Sequence, residues 1–275
     1  MTQAQKIIKY LAIGLAVLII VGIASGIYHT GAAIISIFEH DDSHNDNIGE
    51  LTEISLYSDE LPSRLDVEIA ASEMTLKLGD TLKIETNNSY ISCSVKRDTL
   101  SITEESFGIF HQGNVNSAIV ITLPRELVFD EVDIDAGAGR LIIEGLSANE
   151  LSLDLGAGET VIDSLFVSGE ADINGGAGRI EIKTAEIGHI DVSHGFGELD
   201  ITALIKNGGE FDCGVGNVDL SLMGGKADYS VNVERGLGKI TVDGKTAKND
   251  STYGTGSSRV EINGGVGGIS ISFSK

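Results

Sequence analysis

The sequence predicts an all-β fold, a single-stranded β-solenoid (β-helix) of rungs about 19 residues long, preceded by one N-terminal transmembrane helix. Three observations predict it. Six Gly-x-Gly corners, Gly137/Gly139, Gly156/Gly158, Gly176/Gly178, Gly195/Gly197, Gly214/Gly216 and Gly236/Gly238, share one apolar register with a further copy at Gly265. Successive corners lie 19 or 20 residues apart, with wider steps of 22 before Gly236 and 29 before Gly265. Ahead of them lies a run of 29 residues, Tyr10 to Phe38, that carries no group ionised at neutral pH.

That run defines the first elements. Residues 1–9 read as a cytoplasmic N-terminus and 10–28 as the transmembrane helix, whose 19 residues span about 28 Å at 1.5 Å per residue with a tyrosine near each interface. Lys6 and Lys9 precede the helix without an acid, while the chain from Glu39 onward carries all 41 acidic residues and 17 of the 19 basic ones. The positive-inside rule therefore expects a single-pass protein of the cell membrane, N-terminus cytoplasmic and C-terminal domain extracellular. A cleaved signal peptide ending near Gly22-Ile23-Ala24 is the alternative, and the length of the uncharged run favours the anchor. Residues 29–50 read as a juxtamembrane acidic linker; His40 and His44 lie four apart among carboxylates, but nothing frames them for a metal, and none is expected.

Residues 51–130 read as the irregular N-terminal part and cap of the solenoid. Leu65, Val67, Ile69, Ala71, Met74 and Leu76 fit the register, with Ala70-Ala71-Ser72 replacing Gly-x-Gly. Short alternating runs follow at 82–84, 91–95, 100–102 and 119–123.

Residues 131–275 read as the regular Gly-x-Gly solenoid. With the first glycine at position 0, apolar residues recur at −5, −3, +1, +4, +6 and mostly +9: Val132, Ile134, Ala138, Leu141, Ile143 and Leu146, or Ile190, Val192, Phe196, Leu199, Ile201 and Leu204. All six positions are expected to face inward, with each copy stacked on the next in sequence. A repeat this short cannot bury its apolar side alone and must stack. Gly254-Thr255-Gly256 fails the register, because Asn249, Ser251 and Ser258 fill apolar columns, and is expected to form no rung.

Outward columns carry charge. Position +3 reads Arg140, Glu159, Arg179, Glu198, Asn217 and Lys239, which predicts ion pairs between neighbouring rungs. Positions −4 and −2 are acidic, and Asp133, Asp135, Asp154, Asp172, Asp191, Glu210 and Asp212 form the candidate binding face. Such a face attracts cations or basic partners; the alternative is a solvated face that only blocks edge pairing.

The net charge of −22 is the wrong sign for a nucleic-acid partner, and none is expected. No metalloprotease, serine-hydrolase or Walker motif occurs, and His189 and His194 lack an identifiable nucleophile, so no catalytic residue and no cofactor is expected. Aromatic platforms for sugars are scarce, with no Trp, which disfavours a carbohydrate-active β-helix enzyme. Cys93 and Cys213 fall in apolar phase; an exterior location would permit one disulfide between them, while their wide separation favours buried free thiols.

The repeated Asp154-Leu155-Gly156-Ala157-Gly158 type of corner, together with 235–242 (RGLGKITV), resembles the bacterial "putative adhesin" β-solenoid domain family of unknown function over roughly 51–273. The resemblance implies a domain that follows a membrane helix, with relatives linked to cell-envelope stress responses and no defined catalytic residues. The expected function is an adhesin-like binding or envelope-sensing module. A sensor of cationic peptides, or a structural spacer or oligomer, is the alternative; partners are the membrane through the helix and a cell-envelope component or cationic peptide.

Overall fold

In the computed structural model, residues 50–56, 61–105, 117–234, 236–248 and 251–274 are described. The expected membrane helix, and all but the last residue of the expected linker, lie outside them. The described residues are all-β, and none of them forms a helix long and apolar enough to cross a membrane.

Alternation builds the strands. In Phe129–Ile143 the residues Val132, Ile134, Leu141 and Ile143 are buried, while Asp133 and Asp135 between them are exposed. The chain then repeats the same path one level on. Phe129–Ile143 pairs in parallel with Leu146–Ile162, setting Ile134 beside Leu153 and Gly139 beside Gly158. Leu146–Ile162 pairs in the same way with Leu165–Ile205, setting Leu153 beside Ile173, and that long strand pairs through Val192 and Phe211 with Gly209–Met223. The interior rows hold aliphatic side chains almost without exposure, and one continuous core runs from Leu65 to Ile271.

Two expectations are corrected. The first is the order of the last two copies. Gly209–Met223 does not pair with the next copy in sequence but with Ser258–Asn263 and Val266–Ser274; Tyr229–Glu234 and Leu237–Val242 pair on the far side of those strands. The Gly265 copy therefore sits between the Gly214 and Gly236 copies. The N-terminal end mirrors this. Arg64–Ile69 and Glu73–Gly79 lie between Phe129–Ile143 and an outer level made by Thr99–Glu104 and Ala118–Pro124. Both outermost levels have chain to spare, which returns antiparallel to shield them: Ile91–Lys96 and Lys83–Thr86 at one end, Lys245–Thr246 and Ser251–Tyr253 at the other. The end-most segments of the ladder thus gain two neighbours each, and the exposed edges that would invite strand addition are short. Gly254-Thr255-Gly256 forms no rung, as the register requires; Ser251–Tyr253 before it runs antiparallel to Tyr229–Glu234.

The second correction is position +1. Alternation alone would turn it inward, yet Phe196, Val215, Val266 and Leu237 are 49%, 43%, 48% and 80% exposed. The chain bends at the second glycine of six of the seven corners. At position +2, Gly139, Gly158, Gly178, Gly197, Gly216 and Gly267 hold φ between +131° and +154°, which rotates +1 outward before +4 and +6 return to the core. Position −1 fills the corner's inner side instead, with Leu155 and His194 buried there.

Residues Ile48–Lys275 form one compact unit. Its core, its ladders and its end shields all come from residues within it, so it holds the interactions it needs to fold on its own.

Candidate functional site

Parallel pairing in register converts the sequence columns into real rows. Position −4 runs Asp66, Asp133, Ser152, Asp172, then Asp191, Glu210, Glu261 and Asn232. Position −2 runs Glu68, Asp135, Asp154, Asn174, then Ser193, Asp212, Asn263 and Glu234. Asp133, Asp172, Asp191 and Glu210 thus share one row, and Asp135, Asp154 and Asp212 the next. Asp66 and Glu68 extend both rows; the register match of Leu65–Leu76 was the signal that could have found them.

Neighbouring levels stand about 4.8 Å apart, so ionised carboxylates in one row repel. Neither row holds a Lys or Arg among the described residues. Amides relieve part of the repulsion. Asn174 Nδ2 donates to Asp154 Oδ1 at 2.9 Å, and Asn263 Nδ2 donates to Glu210 Oε1 at 2.7 Å and Asp212 Oδ1 at 2.8 Å. His189 Nε2 lies 3.3 Å from Asp191 Oδ1. Partial burial, and then the charges of Asp66, Asp154, Glu131 and Asp135, push the Asp133 carboxyl above its ordinary range. Glu170, Asp172 and Asp191 bring carboxylate oxygens within 4.8 Å of one another, but all three are open to solvent and no buried donor backs them.

The +3 row pairs less than expected. Arg140 Nε meets Glu159 at 3.1 Å across levels, whereas Arg179 turns to Glu181 on its own strand at 3.0 Å. Beyond Asn217 the row continues through Gly268, because the Gly265 copy intervenes before Lys239.

A shallow trough of about 760 Å³ runs between the −2 row and the corners, bordered by Asp135, Asp154, Asn174, Ser193, Asp212 and Asn263. His194 and Cys213, neighbours in the ladder, lie in its floor. His194 is 4% exposed, and neither ring nitrogen has a protein partner. Its ring occupies the space that a side chain at position 175 would take: a Cβ on Gly175 would lie 2.6 Å from Nδ1. Burial lowers the His194 pKa, so the ring is neutral near pH 7. Burial, and secondarily Asp212, raises the Cys213 thiol to about 11; burial alone raises Cys93 to about 11. Both cysteines are free and half-buried. A thiol so rarely ionised beside a neutral imidazole is not an activated nucleophile.

Sequence reasoning missed one polar cluster, around Glu104. The N–H groups of Ala70, Ala71 and Ser72 donate to its Oε2 at 2.9, 2.9 and 3.1 Å, and the Ser72 hydroxyl and Asn88 Nδ2 donate to Oε1 at 2.7 and 2.8 Å. At the neighbouring corner Ala138 N–H meets a carbonyl of the adjacent level, Ala70 O, at 2.9 Å, and Leu237 N–H meets Gly265 O at 2.7 Å. At Ala70–Ser72 the Glu104 carboxylate accepts from the corner N–H groups instead.

Comparison with known proteins adds the following. None of the curated proteins matches the sequence. Among solved structures, a "putative cell adhesion protein" from Clostridium sporogenes is similar at 15% identity and a TM-score of 0.36, covering 82% of this chain and 99% of its own. A "putative adhesin" from Bacteroides fragilis is similar at 12% identity and a TM-score of 0.44, covering 81% and 96%. A "putative adhesin" from Parabacteroides merdae is similar at 9% identity and a TM-score of 0.39, covering 82% and 96%. The model of the Toastrack DUF4097 family matches residues 53–272, nearly the whole compact unit, and the chain belongs to that family.

Proposed function

We propose that the protein is a membrane-anchored, extracytoplasmic β-solenoid that binds partners through a rigid acidic face, as an adhesin-like or envelope-sensing module. The single observation that carries the reading is the pair of aligned carboxylate rows without a basic residue in either. A row of like charges at strand spacing costs stability, and a basic partner that neutralises it recovers that cost. The uncharged run from Tyr10 to Phe38 and the flanking Lys6 and Lys9 support a single-pass anchor with the unit outside the cell. The parallel, in-register ladders at 19- and 20-residue steps support the solenoid description. The trough is read as a binding surface, since burial keeps the Cys213 thiol beside His194 largely un-ionised.

Two experiments test it. The unit Ile48–Lys275 should bind a lysine-rich peptide more tightly than a neutral one at low salt, with the difference shrinking as ionic strength rises; Asp133, Asp135, Asp172 and Asp191 changed together to Asn should remove it. Equal binding of the two peptides at low salt sinks the acidic-face reading. A C-terminal tag on the full chain should be cut by protease added to intact cells, and a protected tag sinks the topology.

The same rows favour one sharper reading, a sensor of cationic peptides at the membrane surface, because a peptide can lie along both rows at once.

A further inference from the structure

We propose that the corner edge of the last four levels is a docking ridge for a basic amphipathic helix lying along the stack. The ridge is the +1 row. Phe196 stands beside Val215, Val215 beside Val266 and Val266 beside Leu237, one apolar residue per level, all exposed. On the three earlier levels with a Gly-x-Gly corner the same row holds only Ala138, Ala157 and Ala177. Large apolar side chains are therefore confined to one end, where nothing in the fold covers them among the described residues.

Shape and charge choose the occupant. The ridge stands between two side-chain-free rows, one of Gly195, Gly214, Gly265 and Gly236 and one of Gly197, Gly216, Gly267 and Gly238, so a row of partner side chains has a channel on each side. Levels recur about every 4.8 Å, and a helix brings a side chain back to one face about every 5.4 Å, so the two stay in step over four levels to within about 2 Å. An extended strand, repeating each face at roughly 6.7 Å, does not. Acids flank both sides: Asp191, Glu210, Glu261, Asp212 and Glu234 before the corner, Glu198, Asp200 and Asp219 after it, against Lys239 in the same rows. Burial, then Asp219, raises the Asp200 carboxyl, as expected where like charges crowd. A second copy of this chain would bring the same acids face to face. A helix with leucines on one face and lysines beside them meets both the ridge and its flanks.

The inference rests on the acidic-face reading and adds a requirement for apolar geometry. The test uses the unit Ile48–Lys275 and an 18-residue peptide of Leu and Lys in helical pattern, against a scramble of the same composition. The patterned peptide should bind at least about tenfold more tightly. Phe196→Ser with Leu237→Ser should erase that preference while the urea midpoint of the unit stays unchanged, and Val67→Ser, in the core, marks what a folding defect looks like. Equal binding of both peptides overturns the ridge and leaves the acidic face standing. No binding of either at low salt overturns both. A preference that survives the double variant overturns the ridge, as does a dimer of the unit that the variant splits, or zwitterionic vesicles that bind the unit and not the variant.

Discussion

Glu104, half-buried, and His194, buried, have opposite relations to their partners, and each sets a separate response to acid. Burial pushes the Glu104 carboxyl up, but the N–H groups of Ala71, Ser72 and Ala70 and the Ser72 hydroxyl outweigh it and hold the group below its ordinary value of 4.5. Its contribution is complete above pH 4.5 and is lost as pH falls through the lower folded-state value. Glu104→Gln removes the charge from those bonds and should cost about 2 kcal/mol at pH 7, read as a shift in urea midpoint, with the loss narrowing toward pH 3. His194 has no such donors or acceptors, and burial alone depresses it below 6.5. The unfolded chain then takes up its proton first, so stability falls as pH drops from 6.5 toward the folded-state value. His194→Leu should flatten the stability profile across that window; an unchanged slope would mean that the imidazole is satisfied and charged in the fold.

Elements and their order were unequally legible. Columns −5, −3, +4 and +6 could be read from sequence because alternation dictates them, and Ile134, Leu153, Ile173 and Val192 are all buried. Column +1 was misread because hydrophobicity does not report a bend: Phe196 looks like core until the φ of +131° at Gly197 turns it out. The order of the last two copies was hidden for a different reason. The Gly236 and Gly265 copies carry equivalent columns, so either fits on Gly214, and only the spare chain between Val242 and Ser258 lets the later copy slip beneath the earlier one. The placement of the seven acids in two rows was legible, since register alone fixes a row; the Glu104 cluster was not, since its partners lie 16 to 34 residues away. The corners carry their own test. Gly216 has φ +152° and a Cβ there would meet Gly197 O at 1.7 Å, so Gly216→Ala must pry two levels apart and should cost more than about 3 kcal/mol. Gly244 has φ +72° with nothing within 4 Å, so Gly244→Ala should cost only about 1–2 kcal/mol of backbone strain. Equal losses in thermal or urea unfolding would contradict the close stacking of the corners.

At the scale of the whole molecule, the interleaved ends change how the stack comes apart. In a stack built in sequence order, the last segment lies outermost, has one neighbour and frays first. Here Ser258–Asn263 and Val266–Ser274 lie between two levels, and successive N–H groups of a strand point to opposite edges, so both sets find carbonyls. Among the described residues, Tyr229–Glu234 and Leu237–Val242 are held on one side by that inserted level and on the other only by the short returns at Ser251–Tyr253 and Lys245–Thr246. Tyr229 adds a local lock, its hydroxyl donating to Met223 O at 2.8 Å and accepting from Ile205 N–H at 3.2 Å, but it ties the start of the level and not its corner. Native-state hydrogen exchange should therefore find the amides of Val266–Ile271 protected nearly as well as those of Leu151–Ile162, and those of Leu237–Ile240 exchanging at least about tenfold faster, although they lie earlier in the chain. The reverse ranking, with 266–271 fastest, would mean that the chain end lies outermost and that the levels follow sequence order after all.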